Sequence, residues 1–110
     1  MDYTFTGKEG GPIDQNKMNL WMTNYQSQQQ SANPGKTIIK GHFYGSEKIK
    51  ELLEEKDAVG IRIYYGVDEN GSDTLMLVAV RADGSDILPD PDGGGPVILD
   101  DSHVCPPYCP

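Results

Sequence analysis

Two apolar runs joined by a turn constrain this chain more than any other feature. Val59, Ile61, Ile63 and Tyr65 alternate with Gly60, Arg62 and Tyr64, the period of a strand with two unlike faces. Asp68-Glu69-Asn70-Gly71 follows, and Asn-Gly accepts the positive φ angles of a tight hairpin. Leu75-Met76-Leu77-Val78-Ala79-Val80 then runs apolar without alternation, as strands covered on both faces do. Asp83-Gly84 gives a second hairpin signal, with a short edge strand expected over 85–88. A chain carrying this meander must cover both sides of its central strand.

Upstream, the period changes from two to about 3.6. Met18, Trp21, Met22 and Tyr25 fall at i, i+3, i+4 and i+7, one stripe of a helix. Asp14 is placed to cap its start, and Ile13 and Met18 have the spacing of a hydrophobic staple. The helix is expected to fray over 26–31 and to stop at Asn33-Pro34-Gly35. Thr37–Phe43 reads as a strand. Gly45-Ser46 offers a turn and a cap before a short amphipathic helix carrying Ile49, Leu52 and Leu53. The expected fold class is α+β: two helices packed on a small mixed sheet of about four strands. The segment 37–65 leaves room for a right-handed crossover. The N-terminal residues, the Val97–Leu99 triplet or a second subunit would cover the other sheet face.

After Arg81 the chain has no Lys or Arg, six aspartates, and the run Gly93-Gly94-Gly95. Pro91, Pro96, Pro106 and Pro107 remove backbone donors. The reading is one domain over 1–88 and a flexible acidic Pro/Gly-rich tail over 89–110, in which Val97-Ile98-Leu99 is the docking element. With 110 residues there is room for one core. The formal charge of -8 argues against nucleic acid, which selects for Lys/Arg patches. No run nears the ~20 apolar residues of a membrane span. The start lacks the basic and apolar regions of a secretory signal, so a soluble, cytoplasmic protein is the default expectation, with secretion or surface association left open.

Several stretches carry a resemblance. They are Trp21 with Asn24-Tyr25, Gly41-His42-Phe43-Tyr44-Gly45, Val59-Gly60-Ile61-Arg62-Ile63-Tyr64-Tyr65-Gly66, and the close Cys105-Pro106-Pro107-Tyr108-Cys109. On these the chain resembles a group of small uncharacterised bacterial proteins. The resemblance implies a shared fold over nearly the whole chain. It implies no activity and assigns no functional residue.

The candidate chemistry is concentrated at the C-terminal end. Cys105-Pro106-Pro107-Tyr108-Cys109 looks like the Cys-Pro-Tyr-Cys motif of glutaredoxins with an added proline. Redox dithiols sit at a helix N-terminus that stabilises the thiolate, and only Pro110 follows here. A local disulfide or two free thiols fits better. His103, Cys105 and Cys109, with His42 elsewhere, have donor types that suit zinc, but His-x-Cys-x3-Cys matches no strong zinc template. No cofactor is therefore expected. Asp68–Asp73 superficially suggests a calcium loop, but glycine falls at the fourth position and Ala79 at the twelfth, so the hairpin reading prevails. Cysteine–histidine pairs and Ser46 with His42 can be written as nucleophile and base, yet no glycine-rich nucleophile elbow or phosphate loop is present.

Arg62 and Tyr64 fall on one strand face, and both residue types are enriched among interface anchors. The favoured function is a non-catalytic interaction or assembly module. Arg62 and Tyr64 would serve as body contacts, and Val97, Ile98, Leu99, Pro106, Pro107 and Tyr108 as tail contacts on another protein or a second copy. The alternatives are a metal-binding or thiol/disulfide tail using His103, Cys105 and Cys109, or a small ligand-binding domain or enzyme around His42, Arg62 and Tyr64.

Overall fold

The computed structural model describes residues 3–110. They form a small α+β fold with two helices and five strands. In chain order these are α1 (Gln15–Ala32), β1 (Gly41–Phe43), α2 (Ser46–Leu53), β2 (Ala58–Val67), β3 (Asp73–Arg81), β4 (Asp86–Ile87) and β5 (His103–Cys105). The strands lie in two sheets, β2-β3-β4 and β1-β5, and every pairing between them is antiparallel. The expected crossover from the first strand to the second is therefore not formed. β1 is shortened to three residues and takes β5 as its neighbour. Contacts divide the chain into two compact units, Met1–Glu9 with Tyr44–Ser102, and Gly10–Phe43 with His103–Pro110.

The first unit is built on the hairpin. β2 and β3 run in register from Ala58↔Arg81 to Val67↔Asp73, with one bulge between Ala58 and Gly60. The turn closes through the Asp68 N–H donating to the Ser72 carbonyl, with Gly71 at φ 78°. The Asp68 carboxylate accepts from the N–H groups of Asn70 and Ser72. Those bonds hold a turn, and Asp68 acts as its internal brace.

The register sorts side chains onto two faces. Ile61, Ala79 and Ile87 share one face with Ile63 and Leu77. There Leu52 of α2 is fully buried against Leu77, Ala79 and Ile87. α2 packs on this face. α1, also expected to pack on it, belongs to the other unit and buries none of its residues.

On the opposite face lie Arg62, Tyr64, Val78, Val80 and Asp86. Val78 and Val80 are buried. The N-terminal segment crosses here: the Phe5 N–H donates to the Ala82 carbonyl at 2.8 Å, and the Arg62 guanidinium lies 5.6 Å from the Phe5 ring centre. The Glu9 carboxylate fixes this segment by accepting from the Tyr3 hydroxyl and the N–H groups of Thr6 and Gly7.

The central strand β3 is also closed at its edge. Beside β4, Leu99 exchanges both backbone hydrogen bonds with Leu77, at 2.9 and 3.0 Å. Leu99 packs against the core, whereas Val97 and Ile98 remain exposed. The continuous apolar run of β3 thus has neighbours on both edges and cover on both faces. The segment after Leu88 supplies one of those edges and also β5, so it carries regular structure that its proline and glycine content argued against.

In the second unit, α1 begins as expected. The Asp14 carboxylate accepts the Lys17 N–H at 2.8 Å, satisfying a donor with no partner inside the helix. The expected fraying over 26–31 does not occur. The helix runs to Ala32, and the Asn33 N–H closes it on the Gln29 carbonyl. α2, in the first unit, starts from Gly45 without a side-chain cap, so Ser46 is its first residue rather than its cap.

Candidate functional site

The residues singled out in the sequence separate into three places. The first is the C-terminal loop. β5 pairs with β1 through Gly41↔Cys105, His42↔Val104 and Phe43↔His103, and the Lys40 N–H donates to the Cys105 carbonyl at 2.7 Å. From this anchored strand the chain turns back. The Tyr108 N–H donates to the Val104 carbonyl, and the Cys109 N–H to the Pro107 carbonyl. Cys105 and Cys109 are joined by a disulfide, with Cα atoms 4.7 Å apart, within the span a disulfide can bridge. The peptide bonds before Pro106 and Pro107 are both cis.

The closed loop presents Pro107 and Tyr108 outward. Tyr108 is 63% exposed, and its ring meets that of His103 at 4.7 Å between centroids. Among the described residues no group of three or more His, Cys, Asp or Glu side chains is arranged to hold a metal ion. Both cysteine sulfurs are committed to each other, which removes the thiolates that a His103–Cys105–Cys109 zinc set would need. No cysteine is free among the described residues.

The second place is the sheet face of Arg62 and Tyr64. Strand alternation brings both over Asp86, two strands away. Arg62 donates to Asp86 Oδ1 at 2.5 Å and to the Gly84 carbonyl at 3.0 Å, and the Tyr64 hydroxyl donates to Asp86 Oδ2 at 2.5 Å. A cavity of about 270 Å³ beside them is lined by Phe5, Gly7, Glu9, Val59, Arg62 and Val80, among others. The charged groups here have partners within this unit. Asp86 accepts from both neighbours, and Glu9 is held by the N-terminal turn so firmly that its pKa falls to about 2, chiefly through the Tyr3 hydroxyl bond. His42 lies on β1, and Ser46 opens α2.

The third place is Val97-Ile98-Leu99. Leu99 is fixed to β3, while Val97, beside Glu51, Glu54 and Glu55, lines a shallow acidic depression.

Sequence reasoning missed the pairing of Asp86 with Arg62 and Tyr64, and missed Glu9. The signal for Asp86 was its place after Asp83-Gly84, where a hairpin turns an acidic residue back toward the face of Arg62. Nothing local marked Glu9, whose partners are set by the fold of the N-terminal turn. Comparison of the chain with protein-family models, with curated proteins and with solved structures gave no match.

Proposed function

We propose that this chain is a non-catalytic binding module whose C-terminal Cys-Pro-Pro-Tyr-Cys loop is a disulfide-closed recognition element. The observation that carries this reading is the Cys105–Cys109 disulfide on a strand already paired to β1. A loop closed in this way displays Pro107 and Tyr108 in one arrangement, so little conformational entropy remains to be lost on docking. The same bond leaves no thiolate for a zinc site, and no helix begins at Cys105 to stabilise a thiolate as redox dithiols require. Disulfides persist in oxidising compartments, so the reading places the working protein outside a reducing cytoplasm, against the default drawn from the sequence. Arg62 and Tyr64, already engaged with Asp86, are assigned a structural role, and Val97 and Ile98 remain secondary contacts.

The test has two parts. Alkylation of the unfolded, unreduced protein should label no thiol, with both labelled after reduction; free thiols or stoichiometric zinc would remove the reading. A photo-crosslinker placed at position 108 should then trap the same partner with the oxidised chain and lose it in Cys105→Ser/Cys109→Ser. A partner trapped equally well by both would leave the loop as a staple only.

A further inference from the structure

The outer edge of β2 is a stretch of strand that the first unit leaves unpaired. Leu77 turns both its N–H and its carbonyl toward Leu99. Ile63, its partner across the hairpin, therefore turns both away from β3. Ile61 and Tyr65, two positions to either side, do the same. Among the described residues no backbone group takes up these outward donors and acceptors. Gly7 stands against the Val59 carbonyl, so the open stretch begins at Ile61.

An open edge is ordinarily protected by proline, by charged side chains, above all lysine, or by a bulge. From Ile61 to Val67 β2 has no proline and no lysine, and its bulge lies before this stretch, between Ala58 and Gly60. Its one charge, Arg62, is drawn onto Asp86. Beside the edge, Ile63, Tyr65 and Val67 are 54%, 90% and 67% exposed on one face, and Tyr64 is 41% exposed on the other. Such a strand offers both the backbone groups and the side-chain surface that an added strand uses.

Charge indicates the occupant. Residues 10–43 and 103–110 carry Asp14 against Lys17, Lys36 and Lys40, a net of +2, so the unit that holds β2 has -10 of the chain's -8. Asp68 and Glu69, both exposed, stand where β2 enters its turn. A second copy added at this edge would set two units of -10 against each other, which their charge opposes. A basic segment is attracted instead. Antiparallel addition, the more stable pairing per residue, brings the N-terminal end of that segment to Asp68 and Glu69.

We infer that β2 binds an extended, basic segment of another protein by antiparallel strand addition. Lys or Arg at the segment's N-terminal end meets Asp68 and Glu69, and β-branched residues at alternate positions lie beside Ile63 and Tyr65. This edge works independently of the C-terminal loop.

The probe is a synthetic peptide, Lys-Lys-Val-Thr-Val-Thr-Val-Thr, titrated by NMR into the full, oxidised, isotope-labelled chain. The expected Kd at low salt is below about 1 mM, and it weakens as salt is raised. Amide exchange should slow at Ile61, Ile63 and Tyr65 and change little at Arg62 and Tyr64, whose N–H groups face β3. N-Methylation of the peptide's central valine, which removes a strand donor without touching the chain, should abolish binding. Replacing Lys-Lys by Glu-Glu should weaken it by roughly tenfold or more. Glu69→Lys, a change at an exposed turn position, should narrow or reverse that preference.

No binding at millimolar peptide would overturn the inference, as would equal affinity for the Lys-Lys and Glu-Glu peptides. Slow exchange at Ile61, Ile63 and Tyr65 in the free chain at low micromolar concentration would mean that the chain covers its own edge. Exchange that slows with protein concentration alone would mean that a second copy covers it. Either result would equally overturn the inference.

Discussion

At the scale of single residues, Glu9 and Gly84 show how few atoms hold the N-terminal segment on the sheet. The Glu9 carboxylate accepts the Tyr3 hydroxyl at 2.5 Å, the Thr6 N–H at 2.8 Å and the Gly7 N–H at 2.9 Å. These bonds favour the charged form and lower its pKa from 4.5 to about 2. A group whose pKa is depressed by folding stabilises the fold above its unfolded pKa and loses that contribution as pH falls through the folded value. The turn should therefore stay closed at pH 4.5 and open as pH approaches 2. A carboxyl NMR titration of Glu9, read with the Phe5 ring shifts, checks this. A midpoint near 4.5 would mean the turn does not form.

Gly84 has φ +89°, and a Cβ built there would stand 2.5 Å from the Phe5 ring. Gly84→Ala should cost about 1–2 kcal/mol from the left-handed backbone alone, with a further loss as Phe5 is displaced. Urea unfolding measures the total. An unchanged midpoint would show that Phe5 does not pack at this position.

At the scale of elements, the sheet of the first unit depends on one strand. β3 has β2 on one edge and β4 and Leu99 on the other, so each segment that meets it replaces water with protein. Leu52, fully buried beneath α2, is the residue where helix and sheet share a core. Leu52→Ala should destabilise this unit by about 2–5 kcal/mol, the usual cost of opening such a cavity. Leu53→Ala, one position along and half exposed, should cost well under half as much. Denaturant unfolding of both variants separates a helix packed in this orientation from one merely attached.

The hairpins were legible because their signals are local. Asn70-Gly71 and Asp83-Gly84 name their own turns, and the alternation from Val59 to Tyr65 gives its own faces. β1 was read as seven residues and formed as three, because its β-rich composition says nothing about which neighbour it will find. The closed C-terminal loop is an element of the same kind. Closure of so short a loop removes unfolded-state entropy worth about 2 kcal/mol. Cys105→Ser/Cys109→Ser should therefore speed hydrogen exchange at the Tyr108 amide, which now bonds the Val104 carbonyl.

At the scale of the whole molecule, the segment after Leu88 belongs to both units and cannot be removed as one piece. A chain ending at Ser102 keeps Leu99 on β3 and should retain the β2-β3-β4 sheet. A chain ending at Pro96 leaves the N–H and carbonyl of Leu77 without their partners and uncovers part of the core. Each such hydrogen bond contributes about 0.5–1.5 kcal/mol net of hydration, and the uncovered core adds to that, so the shorter chain should unfold at clearly lower denaturant. Equal stability of the two would return the tail to the status of an appendage. Among the described residues no helix is long and apolar enough to cross a membrane.

The sequence by itself determined the α+β class, the two hairpins, the Asp14 cap, the stripe of α1 and the need to cover β3 on both sides. Each of these follows from interactions within a few residues or from a period along the chain. Tertiary structure alone decided what does the covering: Phe5 and its turn on one face, α2 on the other, Leu99 along the edge, and β5 against β1. Those are pairings between residues far apart in the chain. A hydrogen-bonding edge or an apolar face accepts many partners equally well, so the choice among them is made only when the whole chain closes.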